Sequence, residues 1–397
     1  MAEFEVRRTC LHFGGYHPIA PQEATKRFEH ELARFSRCWS VPARIVECTE
    51  TPEQTCLHIR TDGEGWSTQV NYCFFRWDDV IERERNRTWL SRLPLGIASC
   101  ADFIVHGALW GYLRNSWRYV LFFLYPFLAL ALLAAAAWTI ASAGTAALGL
   151  SRSPALGTFL TLAGIAVLLP LAGNRMYLDH LLDDWIHAMR LVRAPDPVVA
   201  QRIEGIAGAL KTGLGDELLI FGHSLGAVHA VELIDQLIAD DPHGPLIRFA
   251  TAGSSILKIG LHKKAAWLHQ AIQRIANSPR VIWVDFQALN DVMNFYKSDP
   301  VAALGLTAPP VQTRIVRFRA GVVPDRYRRM ERNFFRLHNQ FVHANDLRAR
   351  YDFVMTLAGP FPLETLSHSD EGAMPWIGGD GALTKAGRTA LTGIDPP

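Results

Sequence analysis

Apolar and polar positions divide the chain into two mixed regions that flank one long uncharged stretch. In both regions, short apolar runs alternate with segments in which apolar residues recur at helical spacing, as in residues 21–38 and 227–239. Strands that alternate with helices in this way predict a largely parallel sheet covered by helices on both faces. The candidate strands are residues 6–13, 43–48, 55–61, 69–77, 218–221, 247–252, 281–286 and 314–319.

The uncharged stretch is long enough to cross a membrane twice. Across residues 119–174, the single charged or histidine side chain is that of Arg152. About 20 apolar residues suffice for a transmembrane helix, so we expect spans at about 119–140 and 155–173 within a hairpin that covers residues 114–178. Because neither span has a polar face, the pattern favours this hairpin over a pair of buried core helices or an apolar lid.

Basic residues on either side of the hairpin predict its orientation. The flanking basic side chains are those of Arg114, Arg118, Arg175, Arg190 and Arg193. The linker offers only Arg152, so the positive-inside tendency places both soluble regions in the cytoplasm and the linker outside. The expected protein is therefore an integral membrane protein with two spans.

Charge and cysteine content argue against a nucleic-acid-binding protein and against a zinc or disulfide framework. The chain has 40 basic and 38 acidic side chains, a net charge of +2, and no basic cluster interleaved with aromatic residues, so we expect no nucleic-acid partner. All six cysteines lie in the first hundred residues without a Cys-x-x-Cys pair, and several occupy apolar runs. We therefore expect buried free thiols in a reducing compartment rather than a zinc site or disulfides.

A glycine-flanked serine follows the strand candidate at 218–221. The chain reads Gly222-His223-Ser224-Leu225-Gly226 and then continues as an amphipathic helix. Glycines on both sides permit a sharp strand-to-helix turn that exposes the Ser224 hydroxyl, and the helix directs free N–H groups at the same place. This pattern is typical of a nucleophile that attacks a carbonyl carbon; the alternative is an ordinary glycine-rich turn.

With this motif the chain resembles the α/β-hydrolase superfamily, and Gly-His-Ser-Leu-Gly is most similar to its lipases and esterases. The resemblance implies an α/β-hydrolase-type, mostly parallel sheet flanked by helices, with the two-helix transmembrane hairpin inserted into it. Residues 1–113 would form the first part of the hydrolase domain and residues 179–358 the second part, which carries the nucleophile. Residues 359–397 are polar and rich in Gly and Pro, and we expect a loop or partly disordered tail there.

The resemblance also implies an acid and then a histidine after the serine. A catalytic acid belongs in a loop beyond the carboxyl end of a strand, where its carboxylate reaches across the top of the sheet. Asp291 occupies such a loop and is the expected acid, with Asp285 at the strand end and Asp299 as alternatives. Capping of a helix or loop is the structural alternative for Asp291.

His338 is the expected base, because His338-Asn-Gln-Phe341 is similar to the His-x-x-aromatic sequence of lipase-like members. His343 is the alternative base, and His368 lies in the polar tail. We expect His223 and His229, beside and beyond the serine, to pack or form hydrogen bonds locally.

Two backbone donors are implied for the oxyanion. One is the amide of Leu225, directly after the nucleophile, and the other comes from the loop Gly14-Gly15-Tyr16 after the first strand, with Gly15 and Tyr16 as candidates. A plain strand-ending turn is the alternative for this loop.

These features together predict a membrane-anchored serine hydrolase acting on ester bonds, including lipid esters or thioesters, through Ser224, His338, Asp291 and an acyl-enzyme. The expected partners are a lipid bilayer and an ester or acyl substrate, and neither a metal nor an organic cofactor is needed. The alternatives are an inactive membrane scaffold with a hydrolase fold and a serine acyltransferase.

Overall fold

Eight strands form one sheet that joins the regions on both sides of the uncharged stretch. The computed structural model describes residues 3–150, 153–210 and 215–393. Its strands are β1 Phe4–Phe13, β2 Ala43–Glu50, β3 Gln54–Gly63, β4 Trp66–Phe75, β5 Glu217–His223, β6 Ile247–Ala252, β7 Val281–Ala288 and β8 Gln312–Val316. They are ordered β2-β3-β4-β1-β5-β6-β7-β8, with antiparallel pairing for β2-β3 and β3-β4 and parallel pairing elsewhere.

Helices flank the sheet, and the predicted mixed α/β architecture is confirmed. A parallel strand covered on both faces is apolar without alternation, as β5 is: Leu218 and Ile220 enter one core, and Leu219 and Phe221 enter the other. The helices are α1 Pro21–Trp39, α2 Asp78–Arg85, α3 Trp89–Val105, α4 Ala108–Asn115, α5 Trp117–Ala147, α6 Pro154–Leu168, α7 Leu178–Arg193, α8 Pro197–Leu210, α9 Gly226–Asp240, α10 Ile256–Gly260, α11 Ala266–Asn277, α12 Pro300–Ala303, α13 Phe318–Gly321, α14 Pro324–Met330, α15 Phe334–Asn339, α16 Phe353–Ala358, α17 Leu363–His368 and α18 Lys385–Thr392.

A hairpin of two helical segments lies between β4 and β5. Its first segment is α5, and its second is α6 together with the π-helical turn that extends it to Gly173. Two helical segments, Trp117–Ala147 and Pro154–Gly173, are long and apolar enough to cross a membrane, with mean hydropathies of 2.4 and 2.1. The first extends beyond the predicted span, mainly at its end, which lies at Ala147 rather than at residue 140. Its early turns pack into the soluble core, where Tyr119 and Phe123 are buried. Arg152, on which the predicted orientation partly depends, lies outside the described residues, and the cytoplasmic orientation stays a prediction.

The expectation of free cysteines is wrong for one pair. Cys56 on β3 and Cys73 on β4 form a disulfide, because the antiparallel register places them opposite each other with Cα atoms 4.0 Å apart. Their sequence separation of 17 residues gave no sign of this pairing. Since disulfides are uncommon in reducing compartments, the cysteines no longer support a cytoplasmic location.

The segment after α16 differs from the expected loop. Residues 359–393 contain α17 and α18, and they bury Phe361, Leu363 and Ile377 in the second core. The buried guanidinium of Arg8 on β1 ties this segment to the sheet by donating hydrogen bonds to the carbonyl oxygens of residues 357, 359 and 361. The last four residues, 394–397, lie outside the described part of the chain.

Candidate active site

Ser224 occupies a sharp turn between β5 and α9, in a left-handed backbone conformation with φ +54°. Such a φ is uncommon for a residue other than glycine and costs about 1–3 kcal/mol, so the surroundings must impose it. The Ser224 amide donates to the Ala252 carbonyl oxygen (3.2 Å), and the Ser224 carbonyl accepts from the amides of Ser255 (3.0 Å) and Ala227 (3.2 Å). These bonds hold the serine at the carboxyl ends of β5 and β6.

The two flanking glycines are required by close backbone contacts. A Cβ at Gly222 would lie 2.6 Å from Ala227 Cα, and a Cβ at Gly226 would lie 2.2 Å from the Phe13 carbonyl oxygen at the end of β1. Neither neighbour can move independently, because both are main-chain atoms. Both positions therefore require glycine, because main-chain atoms come too close for a side chain at this turn.

His338 and Asp291 are in direct contact although 47 residues separate them. His338 Nδ1 donates to Asp291 Oδ2 at 2.7 Å, and Asp291 Oδ1 accepts from the Met293 amide at 2.9 Å. Both side chains are buried. A carboxylate beside Nδ1 keeps the proton on that nitrogen, so Nε2 carries the lone pair. This Nε2 is buried and has no hydrogen-bond partner among the described residues.

Ser224 and His338 line one cavity and contact the same end of β6. The Ser224 amide is bonded to the Ala252 carbonyl, and a Cβ at the next residue, Gly253, would lie 2.8 Å from His338 Cε1. His223, next to the serine, places its ring centroid 4.7 Å from that of His338 and donates from Nε2 to the His338 carbonyl oxygen at 3.3 Å. Burial lowers the pKa of His223 well below its usual value, so this histidine is neutral and serves to hold the His338 segment.

The alternative acids are engaged elsewhere. The two carboxylate oxygens of Asp285 accept from Thr251 Oγ1 (2.6 Å) and Gln287 Nε2 (2.7 Å), and burial raises the pKa of this carboxyl to about 6. Asp299 caps α12 by accepting from the Ala302 amide at 2.7 Å. Neither makes a hydrogen bond to His338 in the described structure.

The alternative histidines are also separate from the serine turn. His343 Nδ1 contacts Glu31 Oε1 at 2.9 Å, and its Nε2 lies 2.6 Å from a guanidinium nitrogen of Arg27. His368 is exposed, and its Nδ1 bonds to the Glu364 carbonyl oxygen at 2.7 Å. The structure thus places His338, and neither of these two, in the cavity wall with Ser224.

The loop after β1 lies directly against the serine. A Cβ at Gly15 would be 2.9 Å from Ser224 Cβ and 3.3 Å from Ser224 Oγ, so only glycine lets this backbone come so close. The adjacent Tyr16 side chain is buried, and its hydroxyl donates to Glu84 Oε2 at 2.9 Å. Leu225 follows the serine at the start of α9, so backbone from both predicted segments meets at Ser224.

Glu84 is a residue of this site that the sequence did not indicate. Besides the Tyr16 hydroxyl, it accepts from His187 Nδ1 (3.1 Å) and from an Arg190 guanidinium nitrogen (2.5 Å), both on α7. The buried carboxylate therefore fixes the glycine loop to the helix that follows the hairpin. It lies in a charged run on α2, where a solvated face would be the ordinary expectation, so no sequence signal marked it.

The cavity beside Ser224 has a volume of about 610 Å³, within the range of small-molecule sites. Part of its wall comes from α1, the sheet and α16, where aromatic and aliphatic side chains (Phe28, Leu57, Tyr72, Phe74 and Phe353) lie beside polar and charged ones (His12, Arg27, Glu31 and Thr55). Another part is the segment directly after the hairpin: Asn174, Tyr177, Asp179 and His180. Burial lowers the pKa of His180 to about 4, so its imidazole adds no charge at neutral pH.

Three side chains elsewhere have the composition of a metal site. Ligand atoms of Asp102, His106 and His262 lie within 4.8 Å of one another. His262 Nδ1 accepts from the Lys264 amide at 3.2 Å, which leaves the proton on Nε2, and Nε2 donates to Asp102 Oδ2 at 2.9 Å. His106 Nδ1 bonds to the Asp102 carbonyl oxygen at 2.9 Å, so each of the three side chains has a hydrogen-bond partner within the cluster.

Comparisons with protein-family models, curated proteins and solved structures found no match to this chain. The chemistry of the site itself is therefore the basis for inferring what the protein does.

Proposed function

We propose that this chain is a membrane-anchored serine hydrolase of the α/β-hydrolase type that cleaves carboxylic ester bonds. The observation that carries the proposal is the buried His338–Asp291 hydrogen bond, which leaves an unpartnered imidazole nitrogen in the wall of the cavity that Ser224 also lines. A base held by a carboxylate beside a serine on a strained turn is the arrangement that activates a hydroxyl for acyl transfer.

In the proposed mechanism, Ser224 Oγ attacks the ester carbonyl carbon while its proton passes to His338 Nε2. Asp291 stabilises the resulting imidazolium and holds the ring. The backbone amides of Leu225 and of the Gly15–Tyr16 loop stabilise the oxyanion. The intermediate then expels the alcohol, which takes the proton from Nε2, and leaves an acyl-serine. Water, deprotonated by the same nitrogen, releases the carboxylic acid and restores the serine.

The proposal requires the serine and imidazole to come into hydrogen-bond contact during the reaction. No hydrogen bond joins Ser224 Oγ to His338 Nε2 in the described structure. Catalytic hydrogen bonds of this kind often form fully only when substrate is bound. The Gly253 backbone lies against the His338 imidazole, and the Ala252 carbonyl before it accepts from the Ser224 amide, so both side chains border the same strand end.

The topology supports assignment to the α/β-hydrolase type. The strand that leads to the serine, β5, lies between β1 and β6, so the loop after β1 reaches the serine from the neighbouring strand. That is where a second oxyanion donor is needed. The antiparallel β2 and β3 form the far edge of the sheet and leave this arrangement intact.

The position of the cavity favours acyl substrates that partition into a bilayer. Its wall includes Asn174 and Tyr177, directly after the second apolar helix, and its aromatic part suits a hydrocarbon chain. A site held at the membrane also meets lipid esters at a raised local concentration. Lipid esters and thioesters are therefore the proposed substrate class.

The full-length protein in detergent micelles should hydrolyse p-nitrophenyl butyrate, and one equivalent of a fluorophosphonate should abolish this turnover, because the inhibitor phosphonylates an activated serine. The check is p-nitrophenol release before and after titration with the inhibitor. Absence of both turnover and inhibition would instead favour a non-catalytic scaffold, and ester products formed with an added alcohol would identify an acyltransferase.

A further inference from the structure

We infer that the outer face of α3 and α4, residues 89–115, contacts the lipid bilayer beside the hairpin without crossing it. This lipid-facing platform, as we call residues 89–115, is a membrane contact additional to the two apolar spans. The inference depends on the hairpin lying in a membrane, and it is independent of the chemistry at Ser224.

The polarity of α3 is inverted relative to a helix on a water-facing surface. Its two charged side chains bond inward: Arg92 donates to Asp183 on α7 (3.0 Å), and Asp102 accepts from His262 (2.9 Å). Water-facing helices ordinarily place charged residues outward and apolar residues inward. The exposed positions of α3 are instead all apolar: Leu90, Pro94, Leu95, Ile97, Ala98, Ala101, Ile104 and Val105.

Exposing this apolar face to water would cost free energy, because several of its side chains are largely exposed. Leu90 is 91% exposed and Val105 is 77% exposed, and on α4 the ring of Trp110 is 61% exposed. Contiguous apolar surface of this kind marks an interaction site, because monomeric soluble proteins seldom expose it.

Lipid is the occupant because the exposed face continues into the hairpin. Trp89 and Leu93 at the start of α3 pack against the cluster that contains Ala129 and Leu169 of the hairpin. At the other end, only Ser116 separates α4 from α5. The surface that surrounds the apolar spans is therefore continuous with the outer face of α3.

Cations and tryptophans on α4, at the start of α5 and beside the α3–α4 corner fit the head-group region. The Arg114 guanidinium lies 5.8 Å from the Trp110 ring centroid, and that of Arg118 lies 5.5 Å from the Trp117 ring centroid. Exposed Lys263 adjoins the corner, since a Cβ at Gly107 would lie 3.1 Å from its Cε. Tryptophan with neighbouring arginine and lysine is the composition typical of membrane interfaces, and the positive charge attracts anionic lipids.

The sheet rules out a third crossing by this segment. Helices α3 and α4 are bent by 70° and, by length and composition alone, could form one broken span in addition to the two helices of the hairpin. However, β1 and β4 precede all three candidates and β5 follows them, and β1 pairs with both β4 and β5 in one sheet. The chain between β4 and β5 must therefore cross an even number of times. The hairpin supplies two crossings, so α3 and α4 remain on the same side of the membrane as the sheet.

Site-directed fluorescence in liposomes tests this placement. In the full-length protein with Cys38→Ser and Cys48→Ser, which removes the two free cysteines that are not buried, one accessible cysteine at a time is introduced by Leu90→Cys, Val105→Cys or Trp110→Cys. Each variant is labelled with NBD iodoacetamide and reconstituted with nitroxide-labelled phospholipids. We expect lipid quenching at all three positions to exceed, by about threefold or more, that at Val46→Cys. Val46 is a matched control because it is 64% exposed on the edge strand β2.

A label introduced by Trp138→Cys, exposed in the second half of α5, reports separately on the hairpin. If the Trp138 label is quenched by lipid and the platform labels respond like the Val46 label, the inference is wrong. If the platform labels are shielded from aqueous iodide but not quenched by lipid, a protein partner or a second copy covers the face, and the inference is again wrong. Loss of quenching at Trp138 would overturn the membrane placement as a whole, without bearing on the reaction at Ser224.

Discussion

Ester turnover by a Ser224→Ala variant should fall at least about 10³-fold, to the background rate, because the covalent intermediate can no longer form. Alanine keeps the Cβ atom, so the strained backbone at φ +54° is no less compatible with it than with serine. The variant should therefore fold normally. Initial rates with p-nitrophenyl butyrate, together with the melting temperature, separate lost chemistry from lost structure.

The matched control is Ser254→Ala. Ser254 follows β6 close to the site, but its hydroxyl accepts a hydrogen bond from the Ile256 amide (3.1 Å) and does not line the Ser224 cavity. Its replacement should change the rate by less than about threefold, because its hydroxyl bonds only locally and contacts neither Ser224 nor the cavity, so no transition-state interaction is removed. Equal activity of the wild type and Ser224→Ala would show that another group performs the hydrolysis.

Replacing Asp291 by asparagine should lower kcat by about 10³–10⁴-fold, comparable with the effect of this change in other serine hydrolases. Asp291 now accepts two hydrogen bonds, one from the Met293 amide and one from His338 Nδ1. The amide of asparagine has a single oxygen for these two donors, so its NH₂ group faces Nδ1 when the Met293 bond is kept. Nδ1 must then accept, the proton moves to Nε2, and Nε2 can no longer take the serine proton.

Asp285→Asn is the control for this change, since Asp285, inside β7, is also a buried carboxylate with two donors. It bonds to Thr251 and Gln287 rather than to His338, so kcat should change by less than about threefold while the melting temperature falls. Steady-state kinetics of both variants show whether Asp291 or Asp285 is the acid that supports the reaction. A larger loss of kcat in Asp285→Asn than in Asp291→Asn would overturn the assignment of Asp291.

Local patterns along the chain were sufficient to predict the elements that position the site. The uninterrupted apolar run of β5, the glycines around Ser224 and the loop position of Asp291 are local features with direct structural consequences. The contact between His338 and Asp291 was expected only through resemblance to a family, because no local pattern encodes a contact across 47 residues.

Other features depend on partners that are remote in the sequence. The bond between Cys56 and Cys73 follows from the register of two antiparallel strands, and the role of Glu84 follows from the packing of α2 against α7. The segment 359–393 was expected to be a loop because its apolar residues are sparse. Those few apolar residues are nonetheless buried in the second core. Composition counts apolar residues but does not show which of them are buried.

The location of the covalent adduct formed with a fluorophosphonate tests the central proposal most directly. The full-length protein is treated with the probe in detergent micelles, digested, and mapped by tandem mass spectrometry. We predict one phosphonyl group per chain, attached to the hydroxyl oxygen of Ser224. Modification of a different residue, or no modification under conditions that label a reference esterase completely, would contradict the assignment of Ser224 as an activated nucleophile.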